Sequence, residues 1–202
     1  RLSNGVLQND GTLTVLSTFG AVRMSPTISS SASFINNGML SVGGAGLLLL
    51  SGVEVESSGT VAVHSGELRV TSGLALSGEL SIESPGVVRL FSDTQYLPGA
   101  TITGAGTLQI NGGQHDLAAG VYQGSGTIQL VTRTLTLHEP NRAALLLQGG
   151  TVNFEYQPDL GTSFTTGATV NFNAGYSVAP GASLFIGAGG VVNFGASDLS
   201  FS

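Results

Sequence analysis

The chain reads as an all-β parallel β-helix, a β-solenoid, and three observations predict it. A pentapeptide of glycine, a small or variable residue, then apolar, polar, apolar recurs from Gly11 to Phe194. Alternation over so short a span marks a half-buried strand, because successive side chains of a strand point to opposite faces. The units begin at 11, 38, 59, 86, 106, 126, 150, 168 and 190, a mean spacing of about 22 residues, within the range of solenoid coils. Between them lie Ser-Gly, Asn-Gly, Pro-Gly and Gly-Gly pairs, which are turn formers. No segment keeps a 3.6-residue period with caps. These features predict about nine coils in one domain over residues 1–202, with essentially no helix.

In chain order the unit appears as GTLTV (Gly11 to Val15), GMLSV (Gly38 to Val42) and GTVAV (Gly59 to Val63). GELSI (Gly78 to Ile82), GVVRL (Gly86 to Leu90), GTLQI (Gly106 to Ile110) and GTIQL (Gly126 to Leu130) follow. GTVNF (Gly150 to Phe154), ATVNF (Ala168 to Phe172) and GVVNF (Gly190 to Phe194) close the series. The leading glycine suits a corner, since it accepts φ > 0 without a steric penalty. Shorter alternations such as Glu67 to Val70, Leu74 to Leu76 and Leu135 to Leu137 fill the intervals, giving two or three strands per coil. A leucine-rich repeat would need a Leu-x-x-Leu-x-Leu-x-x-Asn pattern that the chain lacks, and a two-sheet sandwich does not require a recurring pentapeptide.

Stacking the coils in register at about 4.8 Å converts the repeat into ladders. One core ladder is expected through Leu108, Ile128, Val152, Val170 and Val192, and a second through Ile110, Leu130, Phe154, Phe172 and Phe194. Between them Gln109, Gln129, Asn153, Asn171 and Asn193 form an amide row, whose side chains can bond to one another along the axis. That row is a structural ladder first, and a face for glycan or a neighbouring rod second.

Composition narrows the function. Only 9% of residues are charged, the net charge is −6, and the six cations are all arginine. Nucleic-acid binding and attachment to an anionic membrane both rest on clustered cations, so neither partner is expected. No apolar run reaches the ~18 residues of a membrane span. There is no cysteine, so redox compartment is left open.

The best catalytic candidates are Asp93, Asp116 and Glu139, spaced 23 and 23, with His115 and His138 beside the last two. Paired carboxylates across a groove are what a polysaccharide hydrolase needs. Their offsets from the preceding unit glycine, however, drift from 7 to 10 to 13, which fits polar turn residues better. His64, His115 and His138 lack metal-ligand spacing, and no metal or cofactor is expected. The pairs Thr12/Thr14, Thr101/Thr103 and Thr134/Thr136 fall at different places in the repeat, so they do not make a regular ice-binding array. Tyr96, Tyr122, Tyr156 and Tyr176 are expected as scattered surface or corner residues, with stacking on sugars the alternative.

Repeat character already begins near Val6 and alternation persists at Leu199 and Phe201. The chain is therefore expected to be a segment of a longer solenoid or a protomer that stacks end to end, since open coils present unpaired N–H and C=O groups. In Gly-Thr-Leu-x-Ile/Val, Asn111 to Gly113 and Ser77 to Leu80, it resembles the parallel β-helices of secreted bacterial surface proteins, the filamentous-haemagglutinin-like adhesins and autotransporter passenger domains. The resemblance implies an extracellular or cell-surface, non-enzymatic rod whose partner is itself or a surface glycan. The alternatives are a carbohydrate-active β-helix using the three carboxylates and a glycan-binding module using the amide row.

Overall fold

Every turn of the chain lays strands on up to three faces, and each strand pairs in parallel with its counterparts one turn before and one turn after. The structure is a computed structural model and describes residues 5–18, 20–25, 32–139, 144–156, 158–160, 164–174, 176–178, 184–195 and 199–201. The protein is an all-β parallel β-solenoid, with strands and no helix among the described residues. The first face holds ten strands, from Val6–Asn9 to Val191–Phe194. The second holds five, from Thr12–Ser17 to Thr101–Thr103. The third holds nine, from Ala21–Met24 to Leu184–Ile186.

Seven turns carry a strand on all three sides, against the nine coils expected. Five run from Val6 to Ile110 and two from Thr151 to Ile186. In those last two, the middle side is taken up by Asp159–Leu160 and Tyr176–Val178, which pair with each other and with Leu199–Phe201. In between, the second face narrows to one bridge, Ile102 to Tyr122. Ten rungs at about 4.8 Å make the first face roughly 40 Å long.

Alternation decides what is inside. The third-face strands Leu47–Leu50, Glu67–Val70, Val87–Leu90, Thr107–Ile110 and Thr127–Leu130 bury every second residue. Leu48, Leu68, Val88, Leu108 and Ile128 form one inward column, and Leu50, Val70, Leu90, Ile110 and Leu130 the next. All ten are at most 3% exposed, so removing two methylenes from any of them leaves a void the stacked neighbours cannot fill.

The two expected core ladders need correction. Leu108 and Ile128 stack on the third face, as do Ile110 and Leu130, but the next rung there is Leu145 and Leu147. Val152, Val170 and Val192 belong to the first face, with Phe154, Phe172 and Phe194 beside them. The pentapeptide changes face along the chain. Units beginning at 11, 38 and 59 lie on the second face, those at 86, 106 and 126 on the third, and those at 150, 168 and 190 on the first. The intervals at the two changes, 27 and 24 residues, exceed a turn because each adds a corner and a strand. A half-buried parallel strand requires the same alternation on every face, so the pentapeptide alone cannot tell one face from another.

The leading glycines are also needed for a different reason. At Gly38, Gly59 and Gly78 φ is not positive, yet a Cβ would collide with the carbonyl oxygen of Gly11, Gly38 and Gly59 respectively. They form a column at the first corner in which backbone rests on backbone. Gly150, with φ of 83°, is the unit glycine that meets the expectation of positive φ.

Candidate functional site

The most ordered polar surface is the outer side of the first face. In the strands Thr134–Leu137, Thr151–Phe154, Thr169–Phe172 and Val191–Phe194, alternation sends Thr134, Thr151 and Thr169 outward in one column and Thr136, Asn153, Asn171 and Asn193 in the next. The amide nitrogen of Asn193 donates to Asn171 Oδ1 at 2.7 Å, that of Asn171 to Asn153 Oδ1 at 2.7 Å, and that of Asn153 to Thr136 Oγ1 at 3.3 Å. Each asparagine amide is thereby fixed in orientation while keeping a second N–H and further acceptor capacity. The row expected to span five residues is split. Gln109 and Gln129 pair in register on the third face, where Gln129 donates to Gln148 Oε1 at 2.9 Å.

A second amide ladder, not foreseen from the sequence, lies inside the first corner. Asn9 donates to Asn36 Oδ1 at 2.7 Å, and Asn36 donates to Ser57 Oγ at 3.0 Å and to the Thr60 carbonyl at 3.1 Å. Asn36 is fully buried, and these bonds replace the water it loses. The available signal was the residue two places before the corner glycines Gly11, Gly38 and Gly59, which is Asn, Asn and Ser. Outside it runs a parallel exposed row, in which Asn37 donates to Asp10 at 2.8 Å and Ser58 to Asn37 at 3.0 Å. The bonds from Gln8 and Asn37 hold the Asp10 carboxyl below its ordinary pKa.

The three catalytic candidates occupy different places. Asp93 stands just ahead of the first-face strand Thr94–Tyr96 and accepts from the Gln114 backbone N–H at 2.7 Å. Asp116 points outward from the strand Gln114–Leu117 and meets His138 Nε2 at 2.7 Å, both side chains well exposed. Glu139 lies past the next corner and accepts from the Gly120 N–H. Asp93 lines depressions with Glu54, Glu56 and Gln95 and with Gly113 and Arg133, whereas Glu139 lines one with Leu117 and Tyr122. The geometry therefore puts Asp93 and Glu139 at separate hollows, with Asp116 paired to a histidine on the open face.

The tyrosines differ from expectation more sharply, and one histidine is buried with them. His115 is 1% exposed and sits in the inward column between Thr94 and Leu135. Its Nε2–H donates to the Gly112 carbonyl at 2.9 Å, which leaves Nδ1 to accept from the Tyr96 hydroxyl at 3.2 Å. Burial pushes the His115 pKa down. Tyr96 and Tyr122 pack into the core, and burial raises both phenols. Tyr156 stands edge-on to Phe154 with ring centres 5.8 Å apart, its pKa pushed up to about 12 by burial and by Glu139. These three rings are thus committed to packing rather than to an exposed sugar platform; the Tyr176 side chain lies outside the described residues. His64 meets Glu83 at 3.0 Å on another side. Among the described residues no three His, Cys, Asp or Glu side chains converge as metal ligands.

Comparison of the chain with protein-family models, with curated proteins and with solved structures finds no match in any of the three.

Proposed function

We propose that the chain is a non-enzymatic structural rod of an extracellular fibre, surface layer or adhesin, in which adjoining coils pair end to end. The observation that carries this reading is where its regular chemistry is spent. The apolar columns, both amide ladders and the corner glycines all act on the neighbouring turn, so the most repeated features serve the stack itself. The same ladder chemistry would accept a further rung from another molecule, because parallel edges are templates for pairing. The resemblance to secreted β-helical surface proteins supports export and display. Electron microscopy of native material at increasing concentration tests it. Unbranched fibres one solenoid wide, lengthening with concentration, are expected; short rods of constant length would overturn stacking.

One specific feature favours a second reading. The asparagine ladder is aligned, exposed along its outer edge and free of charged residues between Thr134 and Asn171 on its face, which suits a neutral polysaccharide. Glycan binding lost in Asn171→Ala and kept in Asp116→Ala would favour a glycan-binding module over a carbohydrate-cleaving enzyme.

A further inference from the structure

The few charges of this molecule are sorted by face. Among the described residues, three of the four arginines, Arg23, Arg69 and Arg89, project outward in one column of the third face. The one carboxylate among them is Glu67, which Arg69 meets at 2.7 Å and Arg89 at 3.4 Å. Two guanidinium groups thus share one carboxylate, and Arg69 also lies over the Phe91 ring at 5.7 Å. The third face is left net positive on a chain whose overall charge is −6. The first face is the reverse. Its outward positions carry Glu54, Glu56, Asp93 and Asp116, all exposed, and among the described residues the arginine nearest them is Arg133, at the corner beside Asp93. Glu54, Glu56 and Asp93 border one open depression of about 280 Å³ together with Gly73 and Ala75. Gly73 has no Cβ, and the Glu54 carboxylate lies over it, with Oε2 2.7 Å from where a Cβ would stand.

We infer that the acidic strip of the first face is a docking surface for the arginine column of a second copy, joining rods side by side. The two faces are built on the same rung spacing of about 4.8 Å, so charges on one can meet charges on the other over several successive turns. Glu54 and Glu56 lie on the third turn and Asp93 at the start of the fifth, while Arg69 and Arg89 lie on the third and fourth. Two rods at nearly equal height therefore bring opposite charges together. The contact is heterologous, one face against a different face, so it propagates from rod to rod rather than ending at a dimer. Exposed ion pairs contribute little individually and are screened by salt, which makes the association weak and reversible. It is independent of end-to-end stacking, which uses backbone edges and apolar columns.

The test is sedimentation velocity of the whole chain over a concentration series, in low salt and in 0.5 M salt, alongside two charge variants. The unmodified chain is expected to form side-by-side bundles in low salt and to separate in high salt into the single-width rods or fibres that stacking alone gives. E54R/E56R alone and R69E/R89E alone are expected not to join side by side in low salt, because the first sets two arginines against the arginine column and the second sets two more carboxylates against the acidic strip. Mixing them restores association, since the reversed first face of one then matches the reversed third face of the other. Circular dichroism identifies a variant that has failed to fold, and the salt response of the unmodified chain stands without the variants. Side-by-side association unaffected by salt, none at low salt, or bundling of either folded variant as strong as the parent's would overturn the proposal. Fibres one solenoid wide that survive high salt, with no side-by-side species, would leave stacking intact and sink this inference alone.

Discussion

One inward column of the first face changes chemistry between its two ends. Near the start it is Asn9, Asn36 and Ser57; near the end it is Phe154, Phe172 and Phe194. Backbone pairing and register are the same in both stretches. The polar stretch is held by directed bonds, and fully buried Asn36 has partners above, below and in the backbone. The aromatic stretch is held by area and ring contact, with Phe154 and Phe172 centred 5.2 Å apart at 13°, and Phe172 and Phe194 5.5 Å apart at 17°. Rung spacing close to that of stacked rings lets either solution work, since offset-stacked aromatics favour centroid separations in this range. The difference lies in tolerance. A ring can shift within its stack at little cost, whereas an amide that loses a partner leaves a buried polar group unsatisfied.

Three measurements separate these two stretches, and a fourth probes the face between them. Phe172→Ala should cost the most, about 4 kcal/mol, because it empties a fully buried site between two other rings; urea unfolding measures it, and a loss below about 1 kcal/mol would mean the stack closes over the gap. Asn36→Ala should cost about 2 to 3 kcal/mol by stranding the groups it now satisfies. In a double-mutant cycle the added effect of Asn9→Ala should shrink in the Asn36→Ala background, since the two share a bond; full additivity would show that the ladder is not one unit. The smallest effect is the pH response of His115, midway along the face. Burial lowers its pKa from the ordinary 6.5, so below that pH the unfolded chain takes up a proton that the folded chain resists. Stability contributed by the neutral ring is present above about pH 6.5 and declines as pH falls towards the depressed folded value. Comparing unfolding midpoints at pH 7.5 and 5, His115→Leu should show a shallower fall than the parent.

The fold class was legible because alternation and a near-constant period leave few other architectures. Gly106 to Ile110 and Gly126 to Leu130 were recognisable as stacked neighbours, and they are. The step from Ile128 to Val152 was misread as another rung because the third and first faces make identical demands on a strand. The amide row was half legible for the same reason, with Asn153, Asn171 and Asn193 forming a true ladder and the glutamines lying elsewhere. Tyr96 and Tyr122 escaped because residue type suggested surface or corner, and His115 because it stood out only as the neighbour of Asp116, while its place in the alternation assigned it inward. The corner ladder escaped because Asn before a corner glycine reads as an ordinary turn residue. The charge sorting became visible only when strands were assigned to faces.

Parallel pairing between turns also determines how such a rod answers force. Its inter-turn hydrogen bonds run along the long axis, and successive rungs on the third face, such as Leu108 and Ile128, are 20 residues apart in the chain. Pulling on the two chain ends opens an end turn like a zip, while the bonds of deeper turns stay closed. Each turn that peels away exchanges about 5 Å of rod for roughly 70 Å of extended chain. The molecule is thus stiff under small loads and lengthens in large steps under greater ones, a shock absorber whose steps follow the length of each turn, from 27 residues between Thr12 and Met39 to 17 between Thr127 and Ala144.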